Sequence, residues 1–254
     1  MMRTTNALPL ILILTFFLTF MLSNINTFAQ EIPKTTPIKE YEEDVTGDGI
    51  KESIKLYGTL LTLDSNYYKD LYATIKTKNN QKWEIQLKGV YEPNIEFFDL
   101  THSGVNDMLF KGLSEENTDL YYNSLHSIKN NKVIDLDLPS QEVSGRFINN
   151  FQAELFVTPH SKPITLDLSK QKNDYTRLNI FNNNGQLLKD RKLIIDSITS
   201  YKPFLISNSK GYGIKSLQKI KGAHHEDNLG SIETIWYFEK DKWIILQTEW
   251  KPRM

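Results

Sequence analysis

The sequence predicts an all-β fold of about four repeated antiparallel β units in a propeller-like arrangement, with a twisted β-sandwich of the same hairpins as the alternative. Three observations carry this. Alternating apolar residues flank short turn-forming runs at four places, the mark of β-hairpins. These turns centre on Asn79, Asn130, Asn183 and Lys240, at successive spacings of 51, 53 and 57 residues. A nine-residue frame with Gly sixth starts at Asp44, Asp99 and Asn208, with 55 residues between the first two starts and 109, close to twice that, between the next two. Two separate features sharing one period indicate a repeat, with units of about 41–95, 96–148, 149–203 and 204–254.

In order, residues 1–29 read as a secretory signal peptide. Arg3 supplies a basic start, Leu8 to Leu22 an apolar core shorter than the ~20 residues of a spanning helix, and Thr27-Phe28-Ala29 a cleavage site before Gln30. The expectation is a secreted or surface-associated chain with no stable membrane insertion after cleavage. Residues 30–40, with Pro33 and Pro37, read as a tether. Ser53–Tyr57 is a strand by its alternation. Leu71–Ile75 and Trp83–Leu87 make the first hairpin around Lys78–Gln81. Ile95–Phe98 and Met108–Phe110 flank the second frame. Tyr121–Ile128 and Val133–Leu138 form the second hairpin. Phe151–Val157 and Ile164–Leu168 are strands, and Asn173–Leu178 is a short helix. Leu178–Phe181 with Gln186–Leu188 is the third hairpin, and Ile232–Phe238 with Trp243–Gln247 the fourth.

The frame at Asp44 carries the clearest chemistry. Asp44, Thr46, Asp48 and Glu52 place side-chain oxygens at positions one, three, five and nine, and Ile50 offers a backbone carbonyl at seven. Oxygen donors at alternate positions of a tight loop suit a hard cation such as calcium, and Gly49 permits the turn. The frame at Asp99 keeps Asp99, Thr101, Ser103, Val105 and Asp107 in the same places with fewer carboxylates. The frame from Asn208 to Ser216 loses every carboxylate and reads as a turn kept for its shape. Position twelve is Lys55 in the first frame and Phe110 in the second, which excludes an EF-hand.

Asp44-x-Thr-Gly-Asp-Gly-x-x-Glu52 leading into a strand resembles the loops of FG-GAP and VCBS repeats. The resemblance implies structural calcium at a β-turn of a non-catalytic adhesion or ligand-binding scaffold. Thr46, Thr101 and Ser103 stand where that family favours Asn or Asp, and its Phe-Gly and Gly-Ala-Pro signature is missing.

Composition narrows the function further. There is no cysteine, so disulfides, thiol catalysis and an N-terminal lipid-modified cysteine are excluded. A bound ion would then serve as the staple of an exported fold. Lys plus Arg number 30 against 31 Asp plus Glu, which argues against nucleic acid as a partner. Adjacent His224 and His225 point to opposite faces of any strand and cannot share an ion. No phosphate loop and no Gly-x-Ser-x-Gly elbow occurs. Exposed members of the pairs Tyr67-Tyr68, Tyr121-Tyr122 and Trp236-Tyr237 suit a protein or glycan ligand. The expectation is a non-enzymatic, calcium-stabilised binding or adhesion protein at the cell envelope. The alternatives are an extracellular hydrolase using carboxylate or His groups around Glu226 and Asp227, and a structural accessory or inhibitor protein.

Overall fold

A computed structural model describes residues 33–115 and 120–253, and the signal-peptide and cleavage expectations lie outside them. The strands all belong to one unit, Lys34–Met254. The fold is all-β, with three antiparallel sheets, none of them closed.

The first sheet has eight strands: β1 (Thr36–Glu43), β2 (Glu52–Leu60), β3 (Tyr67–Lys76), β4 (Lys82–Leu87), β5 (Val90–Phe98), β6 (Asp107–Leu113), β7 (Tyr121–Lys129) and β8 (Lys132–Leu136). They pair in the order β1-β2-β3-β5-β6-β7-β8, and β4 joins β3 beside β5. The alternation read from the sequence is the real one: Leu71, Ala73 and Ile75 are buried on one face of β3, opposite Leu87, Ile85 and Trp83 of β4. Their core gathers Ile54, Leu56, Val90, Ile95, Met108 and Phe110 from one sheet, so the sheet folds its own apolar face inward. Trp83 Nε1 donates to the Asn131 carbonyl at 3.0 Å, tying β4 to the β7–β8 turn.

The second sheet is β9 (Val143–Ile148), β10 (Gln152–Val157) and β11 (Ile164–Asp167), in the order β11-β10-β9. A 3-10 turn and helix α1 (Lys172–Arg177) follow. The third sheet is a meander of four long strands, β12 (Ile194–Ser207), β13 (Gly211–Lys221), β14 (Asn228–Glu239) and β15 (Lys242–Pro252). One end of this sheet, with Ile220, Leu229 and Ile232, packs on Phe147, Leu155 and Leu166 of the second sheet and on Tyr175 of α1. At the other end, Ile214 packs on Leu109 and Leu125, on the outward face of the first sheet. Faces of different sheets packed in this way are sandwich-like.

Four radial units do not form. The boundary expected at 95–96 falls inside β5, which pairs with β6, and that at 203 falls inside β12. The spacing of hairpins reflects strand and turn lengths, and it does not say where one sheet ends. Residues 36–40 are not a tether, because they pair with β2 from Thr36↔Gly58 to Glu43↔Glu52. The third hairpin reduces to a single bridge, Phe181↔Leu187, because Asn182–Gly185 makes a turn whose arms are too short to extend. Strands β9, β12 and β13 go beyond the elements read from the sequence.

Candidate functional site

The three nine-residue frames lie side by side. A Cβ built on Gly47 would sit 2.5 Å from Val105 Cγ2, so the first loop rests on the second. Asn106 Nδ2 donates to Glu43 Oε1 at 3.0 Å across the same seam. His102 stacks on Tyr237 at 4.4 Å between ring centroids and lies against Gly211. Phe98 packs on Tyr212 at 4.8 Å. The second loop therefore touches the first on one side and the third frame on the other.

Each frame has its ninth residue buried: Glu52 is 1% exposed, Asp107 0% and Ser216 3%. The surroundings differ. In the first loop, Asp44 accepts from the backbone N–H of Thr46, Gly47 and Gly49 at 3.2, 2.7 and 2.8 Å, and Asp48 from that of Ile50 at 2.8 Å. Gly47 and Gly49, at φ of 78° and 80°, make that curl possible. Glu52 Oε2 accepts from Val45 N–H at 3.0 Å. Glu52 Oε1 and Thr46 Oγ1 are buried without a hydrogen-bond partner among the described residues. Burial raises the Glu52 carboxyl above its ordinary range, the Val45 N–H opposes this, the nearby charges of Asp48 and Asp44 add to it, and the adjacent Thr46 hydroxyl opposes it weakly without reaching hydrogen-bond geometry.

The second loop satisfies itself. Asp99 accepts from Ser103 and Gly104 N–H at 2.9 and 3.0 Å. Asp107 Oδ2 accepts from Leu100 and Thr101 N–H at 2.9 and 2.8 Å, and Oδ1 from Thr101 Oγ1 at 3.2 Å. Ser103 Oγ donates to the Val105 carbonyl at 3.4 Å. Burial still raises the Asp107 carboxyl, against the N–H of Thr101, the hydroxyls of Ser127 and Thr101 and the N–H of Leu100. In the third frame, Ser216 accepts from Trp236 Nε1 at 2.8 Å and has become a core contact. No group of three or more His, Asp or Glu side chains is arranged to hold a metal among the described residues.

The His224–Asp227 segment is the turn between β13 and β14. His224 Nδ1 and Glu226 Oε2 are 3.1 Å apart with both side chains more than half exposed. Asp227 faces inward instead, accepting from Tyr175 OH and Ala223 N–H at 2.7 Å each. Burial and the Asp227 carboxylate raise the Tyr175 hydroxyl far above its ordinary range.

A polar chain that the sequence does not advertise lies across β7 and β8. Ser124 Oγ is 2.8 Å from His126 Nε2, and His126 Nδ1 is 2.7 Å from Asp135 Oδ1. Ser124 and His126 are two apart on one strand face, and Asp135 stands opposite His126 in the register. Only the pairing of β7 with β8 brings the third member in.

Comparison with known proteins corrects the FG-GAP and VCBS resemblance, because no model of either family matches. Residues 141–251 match the YybI C-terminal domain. This YybI-like segment begins just before β9 and ends in β15, so it comprises the second and third sheets with α1. The first sheet, with both acidic loops, lies outside it. Across most of its length the chain is also 21% identical over 216 residues to the uncharacterized protein YybI of Bacillus subtilis (strain 168), covering 82% of each. No solved structure matches the chain. The nine-residue frame misleads because Asp-Gly turns between strands arise wherever a carboxylate caps loop amides, and the diagnostic pairs of that family are missing here.

Proposed function

We propose that this chain is an exported, non-catalytic binding protein whose loop from Asp44 to Glu52 holds a structural calcium ion. The observation that carries the ion is the pair of buried, unpartnered oxygens, Thr46 Oγ1 and Glu52 Oε1, beside the charges of Asp44 and Asp48. Unpaired polar atoms in a buried setting are costly, and a cation would satisfy both. Their equivalents in the second loop, Thr101 and Asp107, bond each other, so we assign the ion to the first loop alone. Asp44, Asp48 and Glu52 would supply charge, with the Thr46 hydroxyl and the Ile50 carbonyl completing an oxygen set. Export is supported by the apolar run Leu8–Leu22 and the site at Thr27-Phe28-Ala29.

Thermal unfolding in calcium and in chelator tests this. At free calcium 100-fold above the dissociation constant, mass action adds about 2.7 kcal/mol, so chelation lowers the Tm of the wild type. Asp48→Ala and Glu52→Gln remove most of that difference. Asp107→Ala lowers the Tm equally in both conditions, because it strands two loop N–H groups whatever the ion does. Identical wild-type melts with calcium and chelator sink the ion.

A second reading, an extracellular hydrolase, is favoured by one observation, the Ser124–His126–Asp135 chain, whose order and distances suit an activated serine. The exposed Glu226 turn lends it no support. On the binding-protein reading a fluorophosphonate probe leaves Ser124 unmodified. Stoichiometric labelling lost in Ser124→Ala and in His126→Gln would replace that reading with the hydrolase.

A further inference from the structure

We propose that the cleft between the first sheet and β12 binds an anionic carbohydrate, an inference that rests on the binding-protein reading above. The cleft measures about 510 Å³, within the usual size of ligand pockets. Lys39 of β1, Lys111 of β6 and Lys202 of β12 line it, against one lining carboxylate, Glu92. Lys111 is paired with Glu96 and Lys39 donates to Asn94 Oδ1 at 3.0 Å. Lys202 is exposed and has no side-chain partner among the described residues. The balance of the lining is positive, which favours a ligand carrying carboxylate or phosphate groups.

Two further features select a sugar over a bare anion. Asn123 Nδ2 donates to the Tyr121 carbonyl at 3.0 Å, which fixes the orientation of the amide. Its Oδ1 is then the free atom, and it is buried with no hydrogen-bond partner among the described residues. An acceptor of this kind calls for a hydroxyl donor, which a sugar supplies and a simple anion does not. Tyr121, on the same strand, lines the cleft with 38% of its surface exposed. An exposed ring beside amides and hydroxyls suits the apolar face of a pyranose. The floor is firm, since Tyr201 OH donates to the Pro139 carbonyl at 2.7 Å, and burial has pushed that hydroxyl's pKa up to about 12. In the bound state the anionic group faces Lys202 and Lys39, a sugar hydroxyl donates to Asn123 Oδ1, and the ring lies on Tyr121.

Calorimetry on the mature chain in calcium buffer tests this with four probes: hexagalacturonate, a phosphorylated maltohexaose, neutral maltohexaose and a single-stranded DNA hexamer. The first two separate carboxylate from phosphate as the source of charge. The expected result is binding of at least one of them, with neither neutral sugar nor DNA binding comparably. Lys202→Glu and Tyr121→Ala, both at exposed positions, each weaken that binding about tenfold or more. Lys219→Glu, a charge reversal away from the cleft lining, leaves it unchanged. Binding of neither anionic sugar, equal binding of the DNA, or full affinity in Lys202→Glu and Tyr121→Ala would each overturn the cleft. Such a failure leaves the calcium-dependent melt untouched. Labelling of Ser124 would remove the binding-protein reading without altering the calorimetry.

Discussion

Glu52 and Asp107 hold the same place in two like loops, yet the first has a buried oxygen without a partner and the second has none. The ninth residue itself differs, Glu in the first loop and Asp in the second. Both loops carry a threonine third, but Thr101 Oγ1 donates to Asp107 Oδ1 at 3.2 Å, while Thr46 lies near enough to act on the Glu52 carboxyl without making such a bond. Both carboxyls are raised by burial. For Glu52, whose ordinary value is 4.5, the folded state then holds its proton to higher pH than the unfolded state. Stability therefore falls as pH rises through the window between 4.5 and the raised value, and the cost is fully present above it. In metal-free protein the Tm should rise as pH drops towards 4.5, and Glu52→Gln should show a smaller rise. Comparing the two variants at each pH isolates this group from every other that titrates. Calcium should shrink the wild-type rise by favouring the charged form. Parallel pH profiles for the two variants would mean that Glu52 is not strained by its burial.

Elements here depend on their turns. The β7–β8 turn uses Asn130 and Asn131 at φ of 51° and 60°, and the β14–β15 turn uses Lys240 and Asp241 at 52° and 57°. Both are two-residue loops with positive φ at each centre, the geometry that matches strand twist. Asparagine tolerates it, and lysine does so poorly, at roughly 1–2 kcal/mol relative to glycine. The last hairpin still forms, because its strands pair from Glu239↔Lys242 to Gly230↔Pro252. Replacing the turn with Asn-Gly, through Lys240→Asn and Asp241→Gly, should raise unfolding stability by about 1 kcal/mol, read as a higher urea midpoint at constant slope. An unchanged or lowered midpoint would show that the native side chains contribute contacts of their own.

Across the whole unit, the third sheet is the common partner. Its two ends serve different cores, one shared with the second sheet and α1, the other with the outward face of the first sheet. The YybI-like segment follows the first of these cores, and the loop at Asp99 joins the second through Leu100. Contact runs from the first loop through Val105 and His102 to Tyr237 on β14. An ion on the first loop should therefore tighten more than its own residues. Hydrogen exchange should slow about tenfold or more over 44–52 when calcium is added, by less over 99–107, and by least over 143–168, whose core is separate. Equal slowing everywhere would indicate global stabilisation with no local site, and no slowing over 44–52 would place the ion elsewhere.

Local chemistry was legible in the chain itself. Alternation of apolar residues marked most of the strands, turn residues marked the hairpins at Asn79, Asn130 and Lys240, and residues 173–178 read as helix where α1 forms. All of these depend on neighbours a few residues apart. The contents of each sheet depended on pairing between distant segments, as when Tyr67 and Tyr68 of β3 meet Tyr91 and Val90 of β5 and carry the sheet on into β6. The tertiary structure alone decided that three similar frames would touch, that Asp135 would reach His126, and that Asn123 would face lysines from three strands. Side-chain periodicity records which face of a strand is buried, but a partner's identity is set by packing across separations such as the 106 residues between Trp243 and the Asp137 carbonyl it bonds.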